Sequence, residues 1–75
     1  RNTIGRNTSQ QISFKDPEIS GEHCVIDARN GAFEIVDIKS MNGTKVNGSF
    51  IRSPEMLYDS DEIEIGNTVL TFKKM

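Results

Sequence analysis

With 75 residues, 27% of them charged and 35% hydrophobic, the chain reads as one small globular domain over residues 1–75 with no room for a second. A formal net charge of −2 argues against a general nucleic-acid binder, whose phosphate contacts demand a basic excess. One cysteine and one histidine exclude an internal disulfide and are too few for a structural zinc site, which favours a reducing, intracellular setting.

Short alternating segments split by Gly, Asn, Asp and Ser predict an all-β fold of short, mostly antiparallel strands, a sandwich or small barrel, without significant helix. The first strand is expected over Thr3–Arg6, so the chain opens in a strand, as a piece of a larger protein would. Ile12–Phe14 follows, and Asp16-Pro17 marks a loop. Strands over His23–Ala28 and Phe33–Ile38 flank Asn30-Gly31, a pair that tolerates the positive φ angles of a type I′ hairpin turn. Thr44–Val46 comes next, then a loop signalled by Ser53-Pro54. Glu62–Ile65 and Thr68–Lys74 are joined by Gly66-Asn67. Alternation places Cys24 with Ile26, Phe33 with Ile35, Ile63 with Ile65 and Leu70 with Phe72 on the core face. Val36 and Ile38 break the pattern, so either they cover something or their strand twists. No apolar run approaches the roughly 20 residues of a helical membrane span.

Three pieces carry chemistry: Gly5-Arg6, Ser20-Gly21-Glu22-His23 and Ser40-Met41-Asn42-Gly43-Thr44. They fall at strand ends or in loops, where sandwiches place binding residues. An arginine offers a fork of donors that fits a phosphate, a serine hydroxyl and loop N–H groups can complete an anion cage, and an asparagine amide can clamp a peptide backbone. Simple up-down strand order brings loops 16–22 and 39–43 to one end of the sheet. The same count sends Arg6 to the far end, yet strand 12–14 spans only about 10 Å, a distance a long arginine side chain can bridge, so the count leaves both placements open.

In order, Gly-Arg, Ser-x-x-His, Ser-x-Asn-Gly-Thr-x-x-Asn-Gly and a late Asp-x-Ile-x-Ile-Gly resemble the signature of the forkhead-associated (FHA) domain, and the match runs from Ile4 to Phe72. The resemblance implies an eleven-strand β-sandwich that binds a phosphothreonine segment of a partner protein through loops at one end. It implies that Arg6 and Ser20, with the N–H of Gly21, contact the phosphate, and that Asn42, flanked by Met41, bonds the peptide main chain. Gly5, His23, Gly43 and Asn47 would hold the site in shape. Glu18 would face the peptide a few residues past the phosphate and disfavour an acidic residue there. Three departures stand out: the family's first strand is absent, Met41 and Gly21 replace polar residues, and Ser60 stands where glycine is usual.

His23 beside Cys24 does not form a nucleophilic pair, because successive residues of a strand point to opposite faces. No paired carboxylates, metal ligands or cofactor motif suggest an enzyme. The competing expectation is a phosphate-independent or self-associating module that uses a strand edge or the Val36/Ile38 face. Asn7, Asn42 and Asn47 begin glycosylation-type triplets, and a glycan on Asn42 would block the site, which again favours an intracellular protein.

Overall fold

Asn-Gly pairs and one glycine set the hairpins of the computed structural model, which describes residues 1–74. Its nine strands, in chain order, are β1 (Asn2–Gly5), β2 (Ile12–Ser13), β3 (Cys24–Arg29), β4 (Ala32–Asp37), β5 (Thr44–Val46), β6 (Ser49–Phe50), β7 (Glu55–Leu57), β8 (Glu62–Ile65) and β9 (Thr68–Thr71). Asn30 and Gly31 both have positive φ (53° and 80°), as do Asn47 and Gly48 (51° and 86°), so β3–β4 and β5–β6 close on type I′ turns. Between β8 and β9 only Gly66 is positive, at 55°, the signature of a II′ turn.

The strands form two sheets, in the orders β2-β1-β3-β4-β7 and β6-β5-β8-β9. Ile4, Cys24, Ile35 and Leu57 from the first sheet meet Ile63 and Ile65 from the second, and Ile19 of the loop after β2 joins them. Ile26, Phe33, Leu70 and Phe72 pack around this centre, as alternation anticipates. Phe72 lies beyond the end of β9, which stops at Thr71 rather than Lys74, and its ring meets that of Phe33 edge to face at 5.2 Å. The two-residue β6 and three-residue β7 are too short to carry an alternation signal, and the sequence did not reveal them. Val36 is half-buried, opposite Val25 on β3, beside the segment 51–54 that crosses from β6 to β7.

One topological expectation is corrected. Strand β2 runs parallel to β1, with Ile4 opposite Ile12 and Gly5 opposite Ser13. A parallel pair ordinarily needs a crossover of a dozen or more residues. Here residues 6–11 suffice because β2 contributes only two residues. The parity that sent Arg6 to the far end is thereby reversed. The end of β1, the start of β3 and the end of β4 share one rim of the sandwich, since β3 is antiparallel to both neighbours.

Nine strands rather than eleven leave β9 bonded only to β8 among the described residues. Beside it the seam between the sheets opens into a hollow of about 320 Å³ lined by Ile12, Phe14, Leu70 and Phe72 among others.

Candidate functional site

The rim is assembled backbone first. Arg6 N–H donates to the Ser20 carbonyl (2.9 Å), and Asn7 N–H donates to that of Gly21 (3.1 Å), which straps the end of β1 to the loop before β3. So close an approach requires glycine: a Cβ on Gly5 would stand 2.1 Å from the Gly21 oxygen.

His23 fastens this loop to the next one. Wholly buried, it accepts the Ser20 N–H at Nδ1 (3.1 Å), and its Nε2 lies 2.8 Å from the Gly43 carbonyl oxygen. An acceptor at one nitrogen and a carbonyl facing the other define the Nε2–H tautomer.

Loop 39–43 is built around Asp37. Its carboxylate accepts the Ser40 N–H (3.0 Å), the Ser40 hydroxyl and the Thr44 hydroxyl (2.7 Å). Ser40 Oγ in turn accepts the Gly43 N–H (3.0 Å). Burial pushes the Asp37 pKa up, but the hydrogen bonds from Ser40 and Thr44 outweigh it and hold the carboxyl below its ordinary value. Asp16 does the same for the preceding loop: it accepts the N–H groups of Glu18 (2.9 Å) and Asn67 (2.8 Å) and the Thr68 hydroxyl (2.8 Å). These bonds, the one from Glu18 foremost, lower its pKa.

The two loops and β1 enclose a cleft of about 300 Å³ lined by Arg6, Glu18, Ser20, Gly21, Met41 and Asn42, with Pro17 and Ile19 behind them. Arg6 is exposed, and among the described residues its guanidinium makes no ion pair or hydrogen bond. Ser20 Oγ accepts the Met41 N–H (2.8 Å), which frees the hydroxyl proton to donate outward. The Gly21 N–H has no protein acceptor among the described residues. Met41 contributes through its backbone, and its side chain is 88% exposed at the rim. Asn42 Nδ2 donates to both the Glu18 carbonyl and the Glu18 carboxylate (2.9 Å each), while its Oδ1 keeps its acceptor capacity.

Gly5, His23 and Gly43 thus stand around the cleft. Asn47 does not: it lies past the other end of β5, where its side chain bonds Asp61 and the N–H of Glu62, so it supports the β5–β6 turn rather than the cleft. Sequence reasoning missed Asp16, Asp37 and Thr44 as organisers of the loops. An aspartate whose carboxylate caps the N–H two residues on, as in Asp16-Pro17-Glu18, was the available signal. Burial pushes the Cys24 thiol up to about 12, with the Asp37 charge adding to it, so it stays a protonated core group.

A β-sandwich with a polar cleft built from loops at one rim, lined by an arginine that makes no ion pair among the described residues and by a serine hydroxyl, defines a recognition domain of the phosphate-binding kind. The chain belongs to the FHA domain family, whose family model matches residues 2–66. It is 39% identical over 70 residues to an oxoglutarate dehydrogenase inhibitor of Corynebacterium diphtheriae, across 93% of this chain and 48% of that protein. The chain therefore spans about half the length of this curated relative. An FHA structure solved in a study of phosphothreonine-dependent FHA domain interactions superposes with a TM-score of 0.93 at 28% identity, covering 99% of this chain and 76% of that one. Mycobacterium tuberculosis EmbR, solved with a low-affinity phosphopeptide, gives 0.92 at 33% identity, over 96% of this chain and 19% of that one.

Proposed function

We propose that this chain is a phosphopeptide-binding module that recognises a phosphothreonine segment of a partner protein, mediates a phosphorylation-dependent contact and catalyses nothing. The observation that carries this reading is the convergence of the Arg6 guanidinium, the Ser20 hydroxyl proton and the Gly21 N–H on one cleft, all three without a protein acceptor among the described residues. A phosphothreonine brings roughly −1.5 to −2 charge and three acceptor oxygens. Arg6 supplies charge and two donors, Ser20 and Gly21 one each. Asn42 Oδ1 accepts a peptide N–H, and a peptide carbonyl takes the place of the Glu18 carboxylate at Nδ2. An intracellular location agrees with this reading, since a glycan on Asn42 would close the cleft.

Charge-assisted hydrogen bonds contribute about 1.5–3 kcal/mol each. Set against the ordering of a flexible peptide, they sum to about −8 kcal/mol, near-micromolar affinity. Calorimetric titration with matched phosphorylated and unphosphorylated threonine peptides tests the reading. Binding is expected only for the phosphorylated set, and Arg6→Ala is expected to remove at least about 2 kcal/mol of it. Equal affinity for both sets, or wild-type affinity in the variant, would refute it. Binding that survives dephosphorylation would favour the alternative, a contact through the β9 edge and its apolar hollow.

A further inference from the structure

The cleft does not account for Val36, which breaks the alternation of β4. It lines a separate groove of about 320 Å³ together with Ile51 and Pro54 from segment 51–54 and with Lys39 and Arg52. Both cations are exposed and make no ion pair among the described residues. The groove's one carboxylate, Asp37, is committed to Ser40 and Thr44. Against that single carboxylate the groove sets two exposed cations beside Val36, Ile51 and Pro54, so in a chain of net charge −2 it carries a local excess of positive charge. Lys39 also holds a left-handed backbone at φ 48°. A non-glycine residue pays for that conformation in strain, and such strain concentrates at functional positions. Lys39 directly precedes Ser40-Met41-Asn42, so at most about 7 Å of chain separates it from the cleft residue Met41.

We infer that this groove is a second docking site, and that it takes an acidic segment of the same phosphorylated partner, its carboxylates on Lys39 and Arg52 and an aliphatic side chain over Val36. The inference rests on the phosphopeptide reading for the anchor and adds to it a second, phosphate-independent contact. Exposed ion pairs are individually weak, so the pair of cations is expected to contribute about three- to tenfold in affinity, screened by salt.

The test uses the full chain and phosphothreonine peptides that carry two glutamates, or two glutamines, placed three to seven residues to either side of the phosphate. In at least one register the glutamate peptide is expected to bind about three- to tenfold tighter than its glutamine twin at low salt. A Lys39→Gly, Arg52→Gln double variant is expected to erase that advantage and leave the glutamine peptides' Kd unchanged. Lys39→Gly removes the cation while suiting the left-handed backbone, so a loss of fold does not mimic the result. Equal binding of glutamate and glutamine peptides in every register, or an advantage that persists in the double variant, would overturn the inference and leave the phosphate reading intact. Should no phosphorylated peptide bind, the phosphate reading fails. Amide shifts at Lys39, Arg52 and Val36 on addition of the unphosphorylated glutamate peptide then decide the groove, and their absence overturns it.

Discussion

A methyl group on Gly5 would land 2.1 Å from the Gly21 oxygen, so Gly5→Ala forces apart the two backbones that present Arg6 and Ser20. Overpacking of this kind is expected to destabilise the fold by at least about 2 kcal/mol in urea titration, and unchanged stability would contradict the strapped geometry. Ser60 is the opposite case. It holds φ 72°, where a side chain is strained, at the position the family usually gives to glycine. Ser60→Gly is expected to raise stability by up to about 1 kcal/mol, while its exposed bonds to Asp59 and Lys73 contribute little. A fall in melting temperature would show that those bonds matter more than the strain. Gly5 was legible in the sequence through the family signature, but the clash that requires it was not, because the close approach joins residues sixteen positions apart through the fold.

At the scale of elements, two loops are held by neighbouring side chains rather than by strand pairing. His23→Ala would leave the Ser20 N–H and the Gly43 carbonyl without their partner, each a loss of about 1–3 kcal/mol where buried. The variant is expected to lose both stability and peptide affinity, whereas Arg6→Ala loses affinity alone. Paired denaturation and titration separate the two, and a His23→Ala protein with native stability would remove its bridging role. The hairpins at Asn30-Gly31 and Gly66-Asn67 were readable because the turn chemistry is local. The parallel β1–β2 pair was not, since its short connection departs from what parallel strands usually require. That one pairing decides whether Arg6 joins Ser20 and Asn42, so the site residues were legible individually while their convergence had to come from topology. Asp37 and Thr44 were hidden for a related reason: their bond links a strand end to the strand after the next loop, and nothing in either residue's neighbourhood announces it.

For the whole molecule, pH separates folding from binding. Asp16, Asp37, Asp59 and Asp61 all have pKa values below the ordinary carboxylate value, through bonds from the Glu18 N–H, from Ser40 and Thr44 against burial, from the Lys74 N–H, and from Asn47 respectively. A carboxyl depressed in the folded state contributes stability that is fully present above its unfolded pKa near 4 and is lost as pH falls through the folded value. The melting temperature is therefore expected to fall below about pH 4, and Asp37→Asn to flatten that fall. The ligand titrates elsewhere: a phosphate monoester takes up its second proton near pH 6. Affinity is thus expected to weaken between pH 7 and 5 in a protein whose carboxylate network is intact. Unchanged affinity across that window would mean that the doubly charged phosphate is not what the cleft reads.

The most direct test of the account is an amide-resolved NMR titration of the chain with one phosphothreonine peptide and its unphosphorylated twin. The account predicts that the phosphorylated peptide moves Arg6, Ser20, Gly21, Met41 and Asn42 most, and that the twin leaves them in place. Shifts confined to the β9 edge, or identical for the two peptides, would contradict it.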